Sequence, residues 1–139
     1  MNRAEFQQLA DVRIKEAETL LTAGLWDGAY YLAGYAVECG LKACILARVE
    51  RDGAIFEDKK FSEKCWTHRL DELVALAALE AERAAEAAAN ANFDTLWRRA
   101  LLWKEDARYK RITETEAKDL CQAVTDSTDG VMRWIRKYW

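Results

Sequence analysis

The chain holds one histidine, His68, and its isolation narrows the available chemistry. Zinc sites that need two histidines, H-E-x-x-H included, are excluded. A nucleophilic triad would have to use His68, and nothing beside it resembles a nucleophile elbow. Gly24-Leu25-Trp26-Asp27-Gly28 has neither the glycine spacing nor the following lysine of a phosphate loop. No metal and no cofactor are therefore expected. The four cysteines, Cys39, Cys44, Cys65 and Cys121, include no C-x-x-C pair, so reduced structural thiols and a cytoplasmic location are expected. No apolar stretch follows the charged start Met1-Asn2-Arg3-Ala4-Glu5, so no signal peptide is expected.

Two other groups could do chemistry. Glu38 and Lys42 stand four apart with the acid first, the favourable order for a pair within a helix. They either satisfy each other at the core edge, or a buried Glu38 also needs a cation from elsewhere, for which Arg108 is the candidate. The second group is the run from Trp97 to Arg111, in which six basic residues face two acids and are interleaved with three aromatics. Arg98, Arg99, Lys104, Arg108 and Arg111 could meet phosphates, and Tyr109 with Trp97 and Trp103 could stack on bases. The competing expectation is a solvated helix face and loop with the tryptophans in the core.

The elements that must position these residues are helical. Proline is absent, glycine occurs six times, and the commonest residues are strong helix formers. At 139 residues one domain with one core is expected. We expect an all-α, up-and-down bundle of four to six helices spanning residues 1–139. A formal charge of −3 excludes a chain that is basic all over, though not a local basic face. Phe6, Ala10, Ile14, Ala17 and Leu21 form one stripe of a first helix over residues 4–22, ended by Gly24. The second helix, over residues 26–51, carries only Glu38 and Lys42 as charges between Ala29 and Ala47. Two charges at a bilayer centre would each cost about 2.5 kcal/mol or more, so a buried bundle helix is expected and no membrane contact. Phe56, Phe61 and Trp66 suggest a connection folded back on the bundle. Thr67 is expected to cap a helix from His68 to about Ala78. Residues 79–91 read as a partly exposed helix interrupted by Asn90 and Asn92, with Asp94 starting another through Leu102. Thr113 or Thr115 opens a helix with Ala117, Leu120, Cys121 and Val124 inward, and residues 131–139 form a short docking helix.

The order of these motifs resembles a known family. Ala29-Tyr30-Tyr31-Leu32-Ala33-Gly34-Tyr35-Ala36-Val37-Glu38-Cys39-Gly40-Leu41-Lys42-Ala43 is similar to the second-helix signature of HEPN domains. His68-Arg69-Leu70-Asp71-Glu72-Leu73 resembles their H-x-L-x-x-L element, and the stretch from Trp103 to Arg108-Tyr109 their tryptophan-to-Arg-Tyr segment. Gly130-Val131-Met132-Arg133-Trp134-Ile135 is consistent with the closing helix of small stand-alone members. Tyr35, Glu38, Lys42 and Trp103 are the signature positions, and the match covers nearly the whole chain in order. The resemblance implies a helical bundle, commonly a homodimer, with prokaryotic toxin–antitoxin or defence roles, often beside a small nucleotidyltransferase. Many members cut RNA with an Arg-x(4–6)-His motif. Here the positions at that spacing before His68 are Phe61, Ser62 and Glu63, so the ribonuclease signature is absent.

Three expectations follow. The first is a non-catalytic interaction module that pairs with its own copy or a nucleotidyltransferase. The second is an RNA-binding or RNA-cleaving protein using residues 97–111, with His68 and either Arg69 or Arg108 as a rearranged catalytic pair. The third is small-ligand or nucleotide binding between helices.

Overall fold

Asn2 starts the first helix. Its side chain accepts the Glu5 N–H at 2.9 Å while the Glu5 carboxylate accepts the Asn2 N–H at 2.7 Å, a reciprocal capping box. In the computed structural model, which describes residues 1–139, α1 then runs Arg3–Thr22 and buries Ala10, Ile14 and Ala17. Gly24 takes φ +75°. The amides of Gly24 and Leu25 thereby reach back to the carbonyls of Leu21 and Leu20, a Schellman ending.

Helix α2, Trp26–Asp52, is the axis of the molecule. Residues from Ala29 to Ile45 are buried on nearly every side, as expected of a helix apolar all round. Around it pack α1, α4 (Leu70–Leu76), α7 (Glu114–Thr125) and α8 (Val131–Ile135). The remaining helices are α3 (Phe61–Lys64), α5 (Glu80–Ala89) and α6 (Ala91–Leu101), with short 3-10 turns at Ala54–Phe56 and Glu105–Tyr109. The fold is all-α with eight helices, of which five have ten residues or more, and no strand. No helix is long and apolar enough to cross a membrane.

The glycines of α2 set how closely its neighbours approach. A Cβ at Gly40 would stand 3.0 Å from both Ile135 and Met132 of α8. A Cβ at Gly34 would overlap the indole of Trp103, which lies directly on the helix backbone there. A third apolar centre holds Phe93, Trp97, Trp134 and Tyr138, with ring centroids 5.4–6.5 Å apart.

Several local expectations need correction. Thr67 does not cap α4: the cap position is Arg69, and Thr67 Oγ1 accepts the Arg69 N–H in a turn two residues earlier. Only Phe61 of the three connection aromatics folds inward; Phe56 and Trp66 stand 94% and 79% exposed. Asn90 does not merely interrupt a helix. It caps α6, accepting the Phe93 N–H at 3.1 Å, so α6 starts at Ala91, before Asp94. Helix α4 ends in a left-handed residue that is not glycine: Ala78 has φ 58°, and its amide and that of Leu79 bond back to Ala75 and Val74.

Candidate functional site

One carboxylate organises the polar side of α2. Glu38 is 1% exposed, and leaving a carboxylate there unpaired would cost several kcal/mol by order of magnitude (~3–5). Its Oε1 accepts from Lys42 Nζ at 2.8 Å, one helical turn on. Both of its oxygens also lie 3.0–3.1 Å from Nδ1 of His68. A carboxylate can only accept, so this contact places the imidazole proton on Nδ1. The outside partner of Glu38 is therefore His68 and not Arg108. Arg108 stands one step further out, on the far side of Glu105.

The row of contacts continues through Glu105. Its Oε2 is 3.3 Å from His68 Nε2 and its Oε1 is 3.0 Å from a terminal nitrogen of Arg108. Lys42, Glu38, His68, Glu105 and Arg108 thus form one row, each carboxylate set between two nitrogen groups, from a buried inner end to a half-exposed outer end. Three parts of the chain supply them. Helix α2 carries the first pair, the segment preceding α4 carries His68, and the Glu105–Tyr109 turn carries the last pair.

Trp103 sets that turn in place. Burying an indole of about 150–250 Å² is worth roughly 4–6 kcal/mol. Its Nε1 is buried without a partner, which costs about 1–3 kcal/mol. Burial wins, so the ring stays on Gly34, and Ala107 of the turn is buried in the same core. Tyr31 packs 6.1 Å from Trp103 and stacks at 6.1 Å on Tyr35. Burial, then Cys39 and Glu38 nearby, push the Tyr35 hydroxyl above its ordinary pKa. Arg108 is held above the ordinary guanidinium value by Tyr109 and then Tyr31, with its guanidinium 5.0 Å over the Tyr109 ring.

An open groove of about 820 Å³ borders the row, with residues 67–71 on one wall and 101 and 103–106 on the other. A second depression, about 400 Å³, runs from Tyr30 and Arg99 past Lys104 to Leu120. The cysteines lie apart from both. All four are free, and burial pushes Cys39 and Cys121 up to about 11 and Cys44 to about 12, which leaves these thiols protonated and inert at neutral pH.

The basic run looks different in three dimensions. Trp97 and Trp103 are buried and cannot stack on bases, which leaves Tyr109 as its one exposed ring. Arg98 pairs with Asp94 at 3.0 Å, Lys110 with Asp106 at 3.1 Å, and Arg111 with Asp27 at 3.2 Å. Arg99 meets only the Gln122 amide at 3.4 Å, and Lys104 lines both depressions. The structure brings His68 and Arg108 together through Glu105, while Arg98 and Arg111 point to other acids. Glu105 is the residue that sequence reasoning passed over, counting it as one of two acids in a basic run. The available signal was its place three residues before Arg108, the spacing of a pair on one turn. Set against protein-family models, curated proteins and solved structures, the chain matches none of them.

Proposed function

We propose that the chain is a HEPN-type helical module that acts by binding a partner rather than by cutting RNA. Its partner is a second copy or a nucleotidyltransferase, in a prokaryotic toxin–antitoxin or defence-type system. The observation that carries this reading is the state of His68 and Arg108. Cleavage of RNA needs an imidazole free to move the 2′-OH proton and a guanidinium free to meet the charge developing on phosphorus. Here both ring nitrogens face carboxylates and the arginine is paired with one of the same acids. The resemblance of the α2 signature to HEPN domains, without their Arg-x(4–6)-His motif, agrees with that state.

The test has two arms. Light scattering on the purified protein, with co-purification against the product of the adjacent gene, should give a dimer or a stable complex. A monodisperse monomer that captures nothing overturns the reading. Incubation of wild type, His68→Ala and Arg108→Ala with total RNA should give no cleavage in any of the three.

RNA binding without cleavage is the second reading, favoured by Arg99 and Lys104, which have no acidic partner, beside the exposed Tyr109. It requires affinity that falls steeply with salt and drops in Arg99→Ala and Lys104→Ala.

A further inference from the structure

Arg99 and Leu102 stand three apart at the end of α6, the spacing of one helix face. Both line two depressions and so form the ridge between them. One is the depression of about 400 Å³ described above; the other, about 580 Å³, runs along Asp94, Thr95 and Arg98. Leu102 is 74% exposed on this ridge. A lone exposed leucine needs no explanation, but this one borders a hollow with an apolar lining. Leu120 and Ala107 are buried there, and Ile112 and Tyr30 are half-buried.

The charges of the same depression are not all spent within the chain. Lys110 and Asp106 neutralise each other at 3.1 Å. Two cations and two carboxylates remain without an ionic partner. Arg99 meets only the Gln122 amide, and Lys104 meets nothing. Glu116 meets only Thr113, at the start of α7, and Asp119, one turn further on, meets nothing.

We propose that this face of α6, α7 and the turn between them docks a second copy of the chain, each copy setting its Leu102 into the other's depression. The proposal rests on the binding-module reading above and selects the second copy as partner. A two-fold axis makes every contact reciprocal, so Arg99 and Lys104 of one protomer meet Glu116 and Asp119 of the other. A surface with both signs in equal number complements itself and suits a ligand of one sign badly. A nucleic-acid strand would bring phosphates against Asp106, Glu116 and Asp119, and a basic segment would meet Arg99, Lys104 and Lys110. The leucine at the centre keeps water from the charge pairs around it, the arrangement of an interface hot spot.

Sedimentation equilibrium on the full chain tests this, with circular dichroism on every variant. Wild type should be a dimer. Leu102→Asp alters an exposed side chain, so it should keep its helical signal and weaken the dimer about a hundredfold or more. Arg99→Glu/Lys104→Glu and Glu116→Lys/Asp119→Lys should each be monomeric alone. Mixed in equal amounts they should dimerise again, because each then carries the sign that the other needs. A Leu102→Asp protein that dimerises like wild type overturns the proposal and leaves the module reading standing, since the dimer then uses another face. A mixture of folded charge variants that stays monomeric overturns it too. If a charge variant unfolds, the Leu102→Asp result decides alone. A wild-type monomer sinks the proposal, and sinks the module reading with it only if that monomer also captures no nucleotidyltransferase. A wild-type monomer that binds oligouridylate through Arg99 and Lys104 makes this a phosphate-binding face and likewise overturns the proposal.

Discussion

Helix α2 presents two kinds of surface, and they are held by different physics. On its apolar sides, glycines and alanines admit Trp103 and the α8 residues to within contact of the backbone. On its polar side, Glu38 and Lys42 begin a row of polar contacts completed by side chains from distant segments. The first surface is stabilised by area removed from water and by close packing, which any change of volume disturbs. The second contributes little net energy, because desolvation offsets most of the attraction. What the charged row supplies is position: it places His68 and the Glu105–Tyr109 turn at a fixed point over α2.

The largest effect should come from the apolar side. Trp103→Ala should cost about 3–5 kcal/mol, measured by urea unfolding. Gly34→Ala should destabilise wild type by about 1–3 kcal/mol through overpacking. In the Trp103→Ala background the same change should become stabilising by up to about 1 kcal/mol, since alanine is the better helix former. If Gly34→Ala behaves alike in both backgrounds, the glycine is not the seat of the indole.

Next comes the polar side. Glu38→Ala should cost about 2–3 kcal/mol, less than the full penalty of a broken buried pair because Lys42 and His68 can turn towards water. A Glu38→Leu/Lys42→Met double variant should recover much of what Glu38→Leu loses alone. Equal losses in the two would mean that Glu38 is held by His68 rather than by the helix pair.

Smaller effects bracket the comparison. Ala78→Gly should raise stability by about 1 kcal/mol, because the left-handed residue ending α4 would no longer carry a Cβ. Arg98→Ala should change stability by less than about 0.5 kcal/mol, since its bridge to Asp94 is exposed. Thermal melts with paired wild-type controls check both.

This contrast also explains what could be read from the residues beforehand. The stripe Ala10, Ile14 and Ala17, the burial of α2, and the inward face of α7 are periodic and local, and each was legible. So was the glycine ending of α1 and, in α7, the threonine start: Thr113 accepts the Glu116 N–H at 3.1 Å. The burial side of single aromatics was not. Phe61 and Trp66 stand five apart in one connection and take opposite sides of the surface, because no periodicity runs through an irregular segment to orient them. The cation facing Glu38 was equally hidden. Arg108 and His68 are both chemically suitable, and only the fold decides which lies 30 residues on and within reach. Ala78 hid its turn because the residue that usually marks one, glycine, is not there.

Helix α8 has a consequence for how the protein is made. Its Met132 and Ile135 close the gap over Gly40, and its Trp134 completes the ring cluster with Phe93 and Trp97. On the ribosome α2 is finished well before α8 exists. At roughly 5–20 residues per second, the apolar flank of α2 then waits several seconds for its cover. The nascent chain must hold an unsealed hydrophobic surface through that interval, so ribosome-associated chaperones should engage it between the emergence of these two helices and release it once α8 is out.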